Sequence, residues 1–332
     1  MHVSVGTKGQ AREARDDDAA WVLADVLELV EARLADLLRS REPLLTEISN
    51  YLVGSGGKRV RPAVTTLIFR ACGGREMRDI VDVATALELI HSATLLHDDI
   101  IDNSETRRGK ESALRRYGLA RTLVTGDFVF SRAFQLCARF EERLINWAAE
   151  ACISLTEGEI MQGRFRHNPD VTLADYLEII SRKTASIFQQ GARTAASLAG
   201  ASDRLVEAMA DCGFNVGMTF QVVDDLLDIE GEQQRVGKPV GIDLRDGNPS
   251  LPIVLAIARD ADLAEIFARP DPSTADIEAA RTRIRAAGVI PEVRRMASEY
   301  GGRARQHLLL LPPSSDKDQL LALIEQLLTR VA

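Results

Sequence analysis

Two stretches of this sequence carry an apolar run into three aspartates. The first is Ala84-Thr-Ala-Leu-Glu-Leu-Ile-His-Ser-Ala-Thr-Leu-Leu-His97 followed by Asp98-Asp99-Ile100-Ile101-Asp102. The second is Phe220-Gln221-Val222-Val223-Asp224-Asp225-Leu226-Leu227-Asp228. Apolar residues recur at three- and four-residue spacing in both, so each reads as a packed helix. Asp98 and Asp102 then lie one turn apart on one face, with Asp99 beside them. Like charges at that spacing repel, and the C-terminal end of a helix is already negative. Such a cluster calls for cations. Arg107-Arg108-Gly109-Lys110 follows closely, and hard divalent ions are the stronger candidate because they take carboxylate oxygens. A single acidic triplet is most often a solvated charge run; the second copy changes that reading. Two such helices side by side would set two carboxylate triplets across one cavity. Mg²⁺ binds through one or two carboxylates plus substrate phosphates rather than in an all-protein cage. The pattern suits a diphosphate clamped by several Mg²⁺ ions.

Anion-binding residues are available elsewhere in the chain. Gly56-Gly57-Lys58-Arg59-Val60-Arg61-Pro62 precedes a helix, and Pro62 suits a first helical turn. Lys58 and Arg61 would point the same way at a helix N-terminus, which itself favours anions. The spacing is not that of a P-loop. His91 lies two turns before Asp98 on a similar face, although a lone histidine there is more often a core residue than a ligand. Arg107 and Arg108 could each grip an anion with a planar fork. Lys183-Thr184 interrupts an otherwise helical run, and Gln221 stands one turn before Asp225. Gly237-Lys238-Pro239 and Gly241-Ile242-Asp243 follow the second triplet, where Lys238 could close over phosphates.

The elements that must position these residues are helices. Residues 1–18 read as a flexible polar tail ending in Asp16-Asp17-Asp18. Helices are expected over about 19–38, 43–53, 60–72, 84–102, 119–139, 141–165, 172–199, 203–229, 251–268, 274–287, 290–309 and 316–330. Residues 103–112 read as a polar loop, and 231–250 as a long ordered flap. No segment shows strand alternation and no composition shift divides the chain, so the expectation is one all-α domain over 19–332, an enlarged bundle with a central cavity. No stretch is expected to span a bilayer, and the first ten residues lack the apolar middle of a signal peptide. Cys72, Cys137, Cys152 and Cys212 are scattered without metal spacing. A reduced, cytoplasmic, soluble protein is the expectation. The net charge of −8 argues against a nucleic-acid surface.

The motifs GGKRVRP, HSATLLHDDIID with the following RRGK, Gly126-Asp127, Lys183-Thr184, FQVVDDLLD and GKPVGIDL, in that order from about Leu52 to Pro252, resemble the polyprenyl synthetase family of trans-isoprenyl diphosphate synthases. The wording around the first triplet is most like octaprenyl and related long-chain synthases. The resemblance implies the isoprenoid-synthase fold and a homodimer, with peripheral membrane contact at product release. It implies that Lys58, Arg61, His91 and Arg108 hold isopentenyl diphosphate. Asp98, Asp102 and Asp224 would bind Mg²⁺, three ions in all, with Asp99, Asp225 and Asp228 supporting. Arg107, Lys183, Thr184, Gln221 and Lys238 would hold the allylic diphosphate. One departure stands out. After the second triplet the family usually reads Gly-Lys, then Thr or Ser before Leu-Pro; here the run is Asp246-Gly247-Asn248-Pro249-Ser250-Leu251-Pro252, one cation short.

The implied reaction is ionisation of the allylic diphosphate, attack on the cation by the double bond of isopentenyl diphosphate, and proton loss. A class I terpene cyclase shares the first triplet but normally replaces the second with an Asn, Ser and Glu pattern. A non-catalytic partner subunit would be expected to lose acid residues, and none is lost. A ferritin-type bundle needs two Glu-x-x-His pairs, and Glu88-Leu-Ile-His91 is one. The growing tail would leave the metal site along the first acid helix toward its N-terminus. Ala93 and Thr94, five and four residues before Asp98, are small, and Ile90 and Leu87 are deeper candidate floors. The expected product is longer than geranylgeranyl, with geranylgeranyl or farnesyl diphosphate as the alternative.

Overall fold

The computed structural model describes residues 25–53, 59–107, 109–231 and 241–330. The expected tail over 1–18, the start of the first helix, Lys58, Arg108 and Lys238 lie outside the described residues. Helix α1 covers 25–37. It is followed by α2 (Pro43–Val53), α3 (Val60–Ala71), α4 (Met77–Ile101), α5 (Ala113–Tyr117), α6 (Leu119–Cys137), α7 (Glu142–Arg164), α8 (Leu173–Ile180), α9 (Ser186–Leu198) and α10 (Asp203–Glu230). The chain closes with α11 (Ile242–Asp246), α12 (Leu251–Ile257), α13 (Ala261–Phe267), α14 (Thr274–Ala286), α15 (Ile290–Leu308) and α16 (Ser315–Thr329). The fold is all-α, as the periodicity predicts.

Helix α4 is the axis of the molecule. Its residues Val83, Ala84, Ala86, Leu87, Leu89, Ile90, Ala93 and Leu96 are buried on all sides, the mark of a helix inside a large core. It packs on α6, α3 and α9. One sequence expectation needs correction here: with 25 residues α4 is long and apolar enough to cross a membrane by length and composition. Its apolar faces are instead covered by these neighbouring helices. Helix α10 is the second axis. Its first half, with Met209 and Val216, belongs to the core around α4. Its second half, from Met218 to Ile229, belongs to a second cluster with α8, α12 and α15. Burying apolar area at roughly 25 cal/mol per Å² is what fixes both axes.

Four local differences from the expected elements have identifiable causes. Residues 103–112 contain a minimal antiparallel ladder, β1 (Thr106–Arg107) against β2 (Lys110–Glu111), in place of a plain loop. The helix expected over 172–199 is interrupted by a π turn at Ser181–Ala185, which contains Lys183 and Thr184. The helix expected over 251–268 is two, because the Asp260 side chain accepts the Leu263 N–H at 3.1 Å and starts α13. Arg283 grips the same carboxylate through Nε and Nη2, both at 2.9 Å. Finally, the second half of the expected flap is firmly docked. Leu244 is buried in the second core cluster, and α11 is anchored on Asp228 by the Ile242 and Asp243 N–H groups. The charges and glycines of 241–250 mask that apolar anchor in the sequence.

The π turn sits directly against α7 at Gly158, where an added Cβ would lie 2.6 Å from the Lys183 backbone nitrogen. Gly158→Val should therefore cost about 1–3 kcal/mol through overpacking, read as a lower urea midpoint at unchanged slope. An unaltered midpoint would show that α7 and the turn separate freely.

Candidate active site

The first triplet stands at the C-terminal end of α4, where Asp102 caps the helix and donates its N–H to the Asp98 carbonyl at 2.8 Å. Each of the three carboxylates has its own cation. Asp98 Oδ2 is 4.0 Å from Lys183 Nζ. Asp99, fully buried, receives Arg107 Nε at 2.8 Å and Nη2 at 2.7 Å. Asp102 pairs with Arg166. Burial, with Glu159 and Asp102 close by, pushes the Asp98 carboxyl up to about 7 against the pull of Lys183. Burial also raises Asp99, and Arg107 opposes it. Asp99 fixes the β1–β2 hairpin to α4, also accepting the Ala113 N–H at 3.4 Å.

The second triplet, on α10, is held mainly by neutral donors. Asp225 is buried and accepts the Tyr176 hydroxyl at 2.6 Å, the Leu251 N–H at 2.9 Å and Gln221 Nε2 at 2.8 Å. Burial nevertheless raises its carboxyl, as it does that of Asp228. Asp228 accepts two backbone N–H groups at 3.1 Å from the start of α11. Asp243 beside them is driven well up by burial and by the Asp228, Asp225 and Asp224 charges. Asp224 makes no hydrogen bond or ion pair among the described residues.

The two triplets are connected through α7 and the π turn. Thr184 Oγ1 donates to Gln221 Oε1 at 2.9 Å, joining the turn to α10. Lys183 Nζ reaches Gln162 Oε1 at 2.7 Å and pairs with Glu159, both on α7. A π bulge is a frequent device at functional sites because it re-aims side chains within a helix. Here it turns Lys183 toward Asp98 and Thr184 toward Gln221. Arg61, at the start of α3, stacks over Phe188 and Phe220, with Cζ 5.2 and 5.8 Å from the ring centroids. Phe220 is one turn before Asp224, so Arg61 comes to the α10 side of the site. His91 is half-buried on α4, and its carbonyl accepts the Thr94 hydroxyl at 2.8 Å.

Sequence reasoning brought out most of these side chains and missed Glu159, Gln162, Arg166, Tyr176, Phe188 and Asp243. Glu159 and Gln162 have helical i, i+3 spacing in Glu157-Gly-Glu-Ile-Met-Gln162, a signal that was present in the sequence. Tyr176 and Arg166 carry no local signal, because only the fold places them. Among the described residues no three His, Cys, Asp or Glu side chains converge on one point to hold an ion. The donor set is nonetheless hard oxygen with surplus negative charge, which fits ions that complete their shells with a ligand's own oxygens.

An all-α bundle with two carboxylate triplets and basic groups between them is a scaffold for a metal–diphosphate complex. The polyprenyl synthetase family model matches residues 42–284. Octaprenyl diphosphate synthase of Escherichia coli is 33% identical over 299 residues, 89% of this chain and 92% of that protein. Geranylgeranyl diphosphate synthase of Methanosarcina mazei is 32% identical over 308 residues, 91% and 94% of the two chains. The crystal structure of a polyprenyl synthase from Caulobacter crescentus, complexed with calcium and isoprenyl diphosphate, matches with a TM-score of 0.89 at 33% identity, over 95% of this chain and 98% of that one. The chain belongs to the polyprenyl synthetase family and is a prenyl diphosphate synthase.

The differing environments of the aspartates separate two kinds of substitution. Asp98→Ala and Asp224→Ala should lower turnover by about 100- to 1,000-fold or more, with the melting temperature held, since each removes a charge from a crowded site. Asp99→Ala leaves Arg107 without its carboxylate and should destabilise the fold by about 3 kcal/mol, discounted somewhat because Arg107 is partly exposed. Turnover assays paired with thermal melts on the three variants check this; a stable Asp99→Ala protein would show that the hairpin needs no such anchor.

Proposed function

We propose that the protein condenses isopentenyl diphosphate head to tail with an allylic diphosphate, using Mg²⁺, to make an all-trans polyprenyl diphosphate longer than geranylgeranyl diphosphate. The observation that carries this reading is the connection of both carboxylate triplets through Lys183, Thr184 and Gln221. Asp98, Asp102 and Asp224 would hold the ions, which supply charge neutralisation for the departing diphosphate. Lys183 and Arg107 contribute fixed positive charge on the same side, so charge developing on the leaving group meets groups already oriented toward it. Arg61, stacked on Phe188 and Phe220, would serve the diphosphate of isopentenyl diphosphate, a role the family resemblance also gives to His91, Lys58 and Arg108. Gln221 is held by Thr184 and Asp225, which fixes its amide.

Product length follows from α4. Ala93 and Thr94 are small and Thr94 turns its hydroxyl back onto its own helix, so neither would put a bulky side chain in a tail's way toward the N-terminal end. Farther along, Val83, Ala86, Leu87 and Ile90 line a narrow cavity closed by Phe140 and Leu144. At about 30 Å³ it has room for water and not for a prenyl tail, so Leu87, Ile90 and Phe140 must turn aside as the tail arrives. From Asp98 to Val83 the helix rises roughly 22 Å at ~1.5 Å per residue, about five isoprene units of 4–5 Å each. That favours a product beyond geranylgeranyl; the similarity to the Methanosarcina mazei enzyme keeps geranylgeranyl as the second reading.

A homodimer accompanies this proposal. Leu119, Leu123, Val124 and Phe134 on α6 and Ile153 and Ile160 on α7 are exposed, apolar side chains that a second copy would cover. The four cysteines are unpaired, and burial pushes the Cys72 and Cys212 thiols up to about 12; inert reduced thiols suit a cytoplasmic protein.

The purified protein, given labelled isopentenyl diphosphate and each allylic primer in turn, should make products beyond geranylgeranyl, lose activity in excess chelator and regain it with Mg²⁺. Thr94→Phe should shorten the product to farnesyl or geranylgeranyl diphosphate with turnover retained. A wild-type product that ends at farnesyl, or an unchanged ladder from Thr94→Phe, would overturn the passage along α4.

A further inference from the structure

The geometry points to Arg166 as the cation that serves the allylic diphosphate in place of the lysine missing at position 248, an inference that rests on the function proposed above. Arg166 follows the end of α7 and is largely withdrawn from solvent, with 24% of its side chain exposed. Its Nη2 pairs with Asp102 and also donates to Asn248 Oδ1 at 3.4 Å. The guanidinium therefore joins the last carboxylate of the first triplet to the position where the family pattern has a lysine and this chain has a neutral amide. Its Nε is buried and has no hydrogen-bond partner among the described residues. A buried donor left unmade costs free energy, so it needs a reason for being there.

This placement is built into the backbone. The next residue, His167, donates its N–H to the Gly247 carbonyl at 2.9 Å. Its ring occupies the space where a Cβ on Gly247 would lie, only 2.3 Å from His167 Nδ1. Gly247 also has φ +67°, which favours glycine. His167 Nδ1 is 3.3 Å from the Phe267 carbonyl. Asn248 in turn donates its N–H to the Asp243 carbonyl at 2.8 Å. The segments 166–167 and 247–248 are thus pinned to each other, and the Arg166 guanidinium is delivered to the side chain at 248.

The charges explain what the guanidinium does there. With no ion on Asp102, Arg166 is its counter-charge. Were Asp102 to hold a metal ion, Arg166 would keep its charge without that partner, with Asn248 Oδ1 still an acceptor for its Nη2. Diphosphate oxygens would then offer acceptors of matching charge, which Arg takes in bidentate fashion. The positive charge removed at position 248 has been relocated to the end of α7.

Binding separates this from a purely structural ion pair. Isothermal titration of the full-length protein in Mg²⁺ with an unreactive geranyl thiolodiphosphate, and separately with isopentenyl diphosphate, would be run on wild type, Arg166→Ala, Arg166→Gln and the Arg166→Ala, Asn248→Lys double variant. Loss of Arg166 should weaken the allylic analogue about 10- to 100-fold and change isopentenyl diphosphate less than about threefold. Adding Asn248→Lys should recover at least about tenfold of the loss. Arg166→Gln keeps much of the volume, so the same split there shows the loss is one of charge. Unweakened analogue binding, equal loss for both diphosphates, or absence of rescue by Asn248→Lys would each overturn the relocation. Failure of the wild-type protein to bind the analogue at all would instead overturn the proposed function.

Discussion

Three carboxylates crowded at the negative end of a buried helix are the constraint that the surrounding structure answers. Desolvation acts against Asp98 and Asp99 as anions, and the neighbouring charge of Asp102 adds to it. The protein brings one cation to each, from three separate places in the chain: Lys183 from the π turn, Arg107 from the hairpin and Arg166 from beyond α7. None of these is close along the helix, so the charge balance of α4 exists only once α7, α9 and the hairpin are packed. Tertiary structure and site electrostatics are here the same problem.

The two triplets solve that problem differently, and the difference is functional. A cation beside a carboxylate competes with a metal ion for it, whereas a hydroxyl or a backbone N–H leaves further lone pairs free. Asp225 and Asp228 are fixed by Tyr176, Gln221, Leu251 and the start of α11, which sets the geometry of the second wall. Asp98 and Asp102 are paired instead with Lys183 and Arg166. Asp99 and Asp225, the middle members, are the most deeply buried of each set and anchor a hairpin and a loop.

The helices and the acid residues were legible because period, capping and charge are local properties. The bounds of α2 and the run into Asp98 follow from apolar spacing alone, and Lys183-Thr184 was visible as an interruption of a helix. The π turn itself was not, because an extra residue in a helical turn leaves no compositional trace. The docking of 241–250 depends on Asp228 accepting two N–H groups and on His167 filling the space beside Gly247. Propensity reads none of these, since each is a contact between segments far apart in sequence. The resemblance to a family supplied roles for basic residues that spacing left open.

Arg59 shows how far the positioning extends beyond the residues that meet substrate. It adopts φ 46° immediately before α3, a strained conformation for a residue with a Cβ. Its buried guanidinium holds Glu88 at 2.5 Å, Glu31 through Nε and Nη2, and the Val53 carbonyl at 3.1 Å. The local cost of a left-handed backbone is offset by several charge-assisted hydrogen bonds. The consequence is that the start of α3 is tied to α4 at Glu88, one turn from His91, and to α1 at Glu31. Arg61 lies two residues beyond that knot, so its stacking on Phe188 and Phe220 is registered against the same helix that carries the first triplet. Arg61 and the first aspartate triplet are thereby both positioned from one rod, α4.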